Sequence, residues 1–245
     1  MNYKEKSIDS IMEYANGLIG MKFGEIDTKE RLGDNKGKGN LGQIIEESYF
    51  GYDINSRAEA DFSHVGVELK VTPFKVNKNK TISAKERLVL NIINYMEEYK
   101  KDFYESSFWQ KNNKLLLVFY QWEIELEKKD YVVKDIMLHE FSDEDLIIIK
   151  DDWKTIIDKI KEGKAHELSE GDTNYLAACP KGANKNSVRT QPFSSELAMQ
   201  RAFSLKSSYM TSLIRKRLGV EDDEVVSILK DTNMTIEQLL DSKFK

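Results

Sequence analysis

Residues 61–74 read DFSHVGVELKVTPF. From Gly66 to Val71 apolar and charged side chains alternate, with Val67, Leu69 and Val71 on one side and Glu68 and Lys70 on the other. A period of two is that of a β-strand. Spacing of two also puts Glu68 and Lys70 on one face, and Asp61 enters just before the strand begins. The resulting D-x6-E-x-K pattern offers two carboxylates and an amine to one solvent pocket. Paired carboxylates with nearby carbonyl oxygens suit a hard divalent ion such as Mg²⁺, and Asp61 and Glu68 are the candidate ligands. Such an ion polarises a phosphate, while a lysine beside it can help deprotonate an attacking water or neutralise developing charge. An E-x-K pair on a surface strand is also an ordinary ion pair. Its neighbours decide between the two readings.

Upstream, residues 33–40 (GDNKGKGN) form a polar, glycine-rich loop. It lacks the Lys-Ser/Thr ending of a P-loop, which argues against a nucleotide cradle. A helix over 41–49 follows, with Leu41, Ile44, Ile45 and Tyr49 on one side, and it carries Glu46 where a further carboxylate can reach the same ion. Near the N-terminus Ile8, Ile11, Met12, Ala15, Leu18 and Ile19 recur at helical spacing behind Ser7, a candidate cap. Downstream, the apolar runs 88–95, 115–122, 131–139 and 146–150 read as strands or short buried helices. Residues 151–162 place Trp153, Ile156, Ile157 and Ile160 at helical spacing, and 199–218 carry a basic helix after a strand. A mixed β-sheet flanked by helices, an α/β class, accommodates all of these.

The 245 residues are 40% hydrophobic, enough for a substantial core and one main domain. One cysteine, Cys179, excludes an internal disulfide, and the charged start MNYKEKSIDS has no signal-peptide apolar run. A cytoplasmic protein is the expectation. No stretch approaches the roughly 20 apolar residues of a membrane span. The net charge of −5 is unevenly spread. From Tyr175 to Gly219 Lys181, Lys185, Arg189, Arg201, Lys206, Arg215, Lys216 and Arg217 face one acid, Glu196, giving +7 locally against −12 elsewhere. A second basic stretch holds Lys75, Lys78, Lys80, Lys85 and Arg87 against Glu86. Such patches are either solvated faces or the footprint of a polyanion. His139 and His166 lack spaced ligand partners, which argues against zinc, and His64 reads as a loop residue.

KGNLGQIIEESYFG followed by DFSHVGVELKVTPF resembles the MutH family, which comprises the mismatch-repair nicking endonuclease and related GATC-cutting type II restriction enzymes within the PD-(D/E)xK nuclease superfamily. ERLVLNIINY, SSFWQKNN, EGKAHELSEG, YLAACPKGAN and QRAFSLKSSYMTSLIRK resemble its restriction branch, so the likeness runs from Gly37 to Leu218. The resemblance implies a restriction-endonuclease-like fold and a catalytic set of Glu46, Asp61, Glu68 and Lys70, with the L-G-Q-x-x-E framing favouring Glu46 over Glu47. It implies that Mg²⁺ is the cofactor and double-stranded GATC DNA the partner, cut by two copies that meet on the palindrome or act in turn. It also implies a catalytic domain over 1–219, and an acidic, helical tail over 220–245 that starts a linker to a C-terminal domain not contained in this chain.

Further roles follow from the same likeness. Lys38 matches a basic position and Lys111 a lysine near the scissile phosphate. Pro180, Lys181 and Gly182 fall on the DNA-recognition loop, while Arg189 and Lys206 extend its basic surface. Cys179 stands where MutH has an arginine, so guanine must be read by Lys181, Arg189 or a residue not located. Ser204 stands where MutH has a tyrosine against the adenine, and a small side chain there implies cleavage whether or not that adenine is methylated. The alternatives are a GATC-binding module that does not cut, and a MutH-type nickase.

Overall fold

The computed structural model describes residues 3–33, 40–53, 59–184, 186–219, 235, 238, 239 and 242. Its centre is a four-stranded mixed sheet in the order β2-β1-β4-β5, formed by β1 (Glu68–Val76), β2 (Ile82–Ala84), β4 (Lys114–Gln121) and β5 (Val133–Glu140). β1 and β4 run parallel with Glu68 beside Leu115 and Lys70 beside Leu117, while β2 and β5 are antiparallel to their neighbours. Parallel neighbours need a long crossover. Here it contains β2, β3 (Leu88–Ile92), α4 (Tyr95–Glu98) and α5 (Ser107–Asn112).

Both faces of the sheet are covered, which explains why β4 (KLLLVFYQ) is apolar from Leu115 to Tyr120 rather than alternating. On one face Leu69, Leu116 and Val118 meet Ile11 and Ala15 of α1 (Ile8–Asn16), Phe23 of α2 (Phe23–Ile26) and Ile44 of α3 (Asn40–Ile44). On the other, Leu115, Leu117 and Phe119 pack with Phe108 of α5, Ile149, Trp153 and Ile156 of α6 (Asp143–Lys161), and Met210 and Ile214 of α7 (Ser207–Leu218). A separate antiparallel sheet, β3-β9-β6, places Phe203 and Leu205 of β9 (Arg201–Leu205) and Leu176 and Ala178 of β6 (Leu176–Pro180) in this second core. A hairpin of β7 (Val188–Gln191) and β8 (Ser194–Met199) stands beside it.

The expected run 146–150 proves to be the first half of α6. Ser142 caps that helix by accepting from Asp145 N, and Asp143, Glu144 and Asp145 place negative charge in its first turn, so one helix runs through to Lys161. The run 88–95 stops as a strand at Ile92, because Asn94 accepts from Met96 N and starts α4. Of the tail beyond residue 219 only Thr235, Gln238, Leu239 and Ser242 are described, and Leu239 is buried in the second core.

Candidate active site and nucleic-acid interface

A tight reversal brings Asp61 onto β1. Phe62 bridges Val67 in antiparallel fashion, and the turn between them relies on Gly66 at φ 66°, a left-handed conformation that glycine adopts without steric cost. Asp61 then lies beside the start of the strand, where its Oδ2 accepts from Leu69 N at 2.9 Å and its own N–H donates to Glu68 Oε2 at 3.2 Å. Glu68 is buried, with 2% of its surface exposed. Its Oε1 is ion-paired with Lys70 Nζ and lies 3.6 Å from Lys111 Nζ, which arrives from the last turn of α5. Burial raises the Glu68 carboxyl above the ordinary glutamate value, Lys70 opposes that rise, and Asp61 adds to it.

Glu46 comes from the opposite layer. α3 continues as a π-helical turn, Ile45–Tyr49, a widened geometry that recurs at functional sites. The Glu46 carboxyl is raised first by burial and then by the charge of Asp61, with Lys70 opposing and Glu68 adding. Glu47 has a different fate. It is ion-paired with Arg31, which holds its carboxyl below the usual value. Adjacent glutamates on one turn are thus separated, Glu46 into the field of the acid cluster and Glu47 onto a surface arginine. Glu46, Asp61, Glu68, Lys70 and Lys111 are brought together, whereas His64 is exposed in the Phe62–Val67 turn.

The donors suit a hard divalent cation: oxygen only, with carboxylates from Asp61 and Glu68 and with Glu46 behind them. Glu46 and Glu68, whose carboxyls burial raises, are groups that a cation would relieve. Among the described residues no group of three or more His, Cys, Asp and Glu side chains is close enough to hold a metal by itself. The remaining ligands of such an ion would be main-chain oxygen, water or substrate, as is usual for Mg²⁺.

The expected DNA-contacting residues divide. Pro180, Lys181 and Gly182 are exposed at the end of β6. Gly182 approaches Ser187 so closely that a Cβ would stand 2.3 Å from the Ser187 Cβ, a contact only glycine permits. Arg189 is exposed on β7. Lys38 lies outside the described residues. Two of the expected residues are held within the fold. Ser204, expected against a base, is fully buried at the centre of the β3-β9-β6 sheet, and its hydroxyl donates to Ala177 O at 3.3 Å. It shares a face with the equally small and buried Ala177, Cys179 and Ala202, while Phe203 and Leu205 fill the core on the other face. Lys206 Nζ is turned inward onto Thr173 O at 2.6 Å, just ahead of α7.

Two features escaped the sequence reading. Gln200 holds the loop at Lys181 by its main chain and side chain together: Lys181 N donates to Gln200 O at 2.8 Å and Gln200 Nε2 donates to Lys181 O at 2.6 Å. Asn112, buried beside Lys111, donates through Nδ2 to Asn91 Oδ1 at 2.8 Å, and Asn91 Nδ2 donates to Ser107 Oγ at 2.9 Å. That chain ties α5 to β3. Only the polarity of these residues was visible beforehand, because their partners are distant in sequence.

An acid, an E-x-K strand and a supporting glutamate, set at the edge of a mixed sheet with helices on both faces, define the restriction-endonuclease-like class of fold. The family model for the DNA mismatch repair enzyme MutH matches residues 50–152. The chain is 44% identical to the type II restriction enzyme Sau3AI of Staphylococcus aureus over 94% of its own length and 48% of that protein. It is 28% identical to the DNA mismatch repair protein MutH of Shewanella woodyi over 89% of its length and 95% of that protein, and 25% identical to MutH of Shewanella amazonensis over 86% and 95%. The chain belongs to the family of MutH and Sau3AI. It spans about half the length of the restriction enzyme and nearly all of MutH.

Proposed function

We propose that this chain carries the catalytic machinery of a type II restriction endonuclease that hydrolyses both strands of double-stranded DNA at GATC with Mg²⁺. The observation that carries the reading is the Glu68 carboxylate, buried and held between Lys70 Nζ, Lys111 Nζ and the Asp61 N–H. Asp61 and Glu68 would hold the cation, which when bound supplies a Lewis acid for the scissile phosphate. Lys70 would orient the attacking water through Nζ and offset the negative charge that develops as that water gives up its proton to solvent. Lys111 Nζ faces charge that develops on the phosphate, and Glu46 orders water around the pair. Residues 1–219 form the catalytic domain on this reading, with 220–245 as a tail beyond it.

Lys181 and Gly182 would meet base edges while the surrounding lysines engage phosphates. Methylated and unmethylated GATC would be cut alike on this reading, because position 204 holds a serine where the family likeness sets a tyrosine against the adenine. Digesting one plasmid from adenine-methylating and non-methylating hosts tests this, and protection of the methylated sample would refute it. A palindrome cut on both strands needs two active sites, so two copies meet on the DNA or act in turn. Among the described residues no helix is long and apolar enough to cross a membrane, and a DNA substrate suits the cytoplasm.

A plasmid time course with Mg²⁺ tests the chemistry, comparing wild type with Glu68→Ala and sequencing the ends. Linear DNA with ends at GATC from the wild type alone is expected, and intact supercoiled DNA throughout would refute the proposal. The near-complete coverage of MutH favours a second reading, a nickase. The same gel separates the two, because a nickase stops at open circles.

A further inference from the structure

Cys179 is buried and uncharged, so a reader of guanine must come from elsewhere on this face. Two of the basic side chains nearby are committed to the fold: Arg201 Nη1 donates to Ala178 O at 2.7 Å, and Lys206 Nζ donates to Thr173 O at 2.6 Å. Arg189 differs. It is exposed on β7 beside the recognition loop, and its Nε donates to Gln200 Oε1 at 2.6 Å. A guanidinium anchored through Nε has its plane fixed and keeps both η nitrogens for a paired contact.

The anchor is itself tied to the loop. Gln200 donates through its main-chain N to Ser187 O at 2.8 Å, accepts from Lys181 N, and donates through Nε2 to Lys181 O. One residue therefore sets the Lys181 peptide and the Arg189 guanidinium in register with each other. We propose that Arg189, oriented by Gln200, reads a guanine of the target through paired N–H contacts to its O6 and N7, with Gln200 as the positioning residue. The inference rests on the DNA-cutting reading above. Arginine suits this task better than Lys181, because its planar fork matches the two acceptors of guanine whereas an ammonium is a point donor.

Binding in the absence of divalent ion to three short duplexes tests it: one with GATC, one with 7-deazaguanine in place of that guanine, and one lacking the sequence. The analogue removes the N7 acceptor. The wild type should bind the analogue duplex about 10- to 100-fold more weakly than GATC. Arg189→Ala should lose a similar factor on natural GATC and become indifferent to the analogue, and Gln200→Ala should show a reduced penalty for it. A change confined to general stability would not alter sensitivity to one ring atom. An Arg189→Ala protein that binds GATC like the wild type and still pays the analogue penalty would overturn the inference and leave the proposed function standing. A wild type that fails to distinguish GATC from the unrelated duplex would remove the proposed function, and this inference with it.

Discussion

Replacing Asp152 by asparagine should destabilise the protein through the strand that leads to the Pro180–Gly182 loop. Asp152 sits on α6 with 1% of its surface exposed. Its Oδ1 accepts from Asn174 N at 2.8 Å, and its Oδ2 accepts from Tyr175 N at 2.6 Å and Leu176 N at 2.9 Å, where β6 begins. The carboxylate thus anchors the start of β6, and the loop at Pro180–Gly182 lies at the other end of the same short strand. Asparagine has the same shape but turns one acceptor into a donor. Whichever way the amide faces, at least one main-chain N–H loses its partner and the survivors lose their charge assistance. An unmade buried bond of this kind costs about 1–3 kcal/mol, and we take about 2 kcal/mol for the pair of effects. For a chain of this length that is a fall of about 4–8 °C in melting temperature. Thermal unfolding followed by circular dichroism gives the shift, and amide hydrogen exchange should show faster exchange at Tyr175 and Leu176. A melting temperature unchanged within error, with those amides as protected as before, would refute the assignment of Asp152 as the anchor.

Glu46→Ala should reduce plasmid cleavage by roughly 10²-fold or more, as for other groups that act in proton transfer or water ordering, whereas Glu47→Ala should leave the rate near wild type because Glu47 is spent on Arg31. Burial raises both the Glu46 and Glu68 carboxyls, so their protonated forms favour folding; without divalent ion that stability is complete below the ordinary glutamate value and is lost as pH rises through the raised one. Thermal melts across acid to neutral pH should show this decline, Glu46→Gln should flatten it, and Mg²⁺ should raise the melting temperature more at neutral than at acid pH. Gly182→Ala would put a Cβ 2.3 Å from the Ser187 Cβ, so the exposed loop must shift, and GATC binding should fall by tenfold or more with little change in melting temperature. Anisotropy titrations set beside melts separate these two effects.

What the sequence disclosed was local. The alternation through Glu68 and Lys70 located β1, Ser7 located the start of α1, and the apolar run after Lys114 marked a buried element that proves to be the strand β4. Each of these signals is carried by residues within one or two turns of each other. The failures share the opposite character. Residues 146–150 stayed open between a strand and a short buried helix because four consecutive apolar residues have no readable period, and the Ser142 cap and the packing of Ile149 on the core make them helical. Ser204 and Lys206 looked like DNA contacts because their types and the family likeness permitted it. The burial of Ser204 depends on β6 lying alongside β9, a pairing across more than twenty residues, and the inward turn of Lys206 on its bond to Thr173 O. Gln200 attracted no notice because nothing in its neighbours announces that the Lys181 peptide and Arg189 will return to it. In the candidate site the motif singled out Glu46, Asp61, Glu68 and Lys70, and its framing favoured Glu46 over Glu47, whereas the partner that draws Glu47 aside, Arg31, sixteen residues away, was not legible.

Charge explains why the site tolerates so many ionisable groups at its depth. Glu46, Asp61 and Glu68 bring three carboxylates, and Lys70 and Lys111 bring two ammonium groups, so the fully ionised cluster carries one negative charge in excess. The fold alone resolves that imbalance by lifting the pKa values of Glu46 and Glu68, which favours protonation and removes part of the cost of burial. A divalent cation would reverse the sign, leaving a surplus of one positive charge, and a phosphodiester carries the single negative charge that cancels it. Neither partner balances the cluster by itself. Cation and phosphate each complete the condition that favours the other, so a cluster that looks strained in the free chain is close to neutral only with both in place. The two lysines matter to this balance as much as the acids do. Without them three carboxylates and one dication would already be negative, and the approach of a phosphate would be opposed rather than favoured.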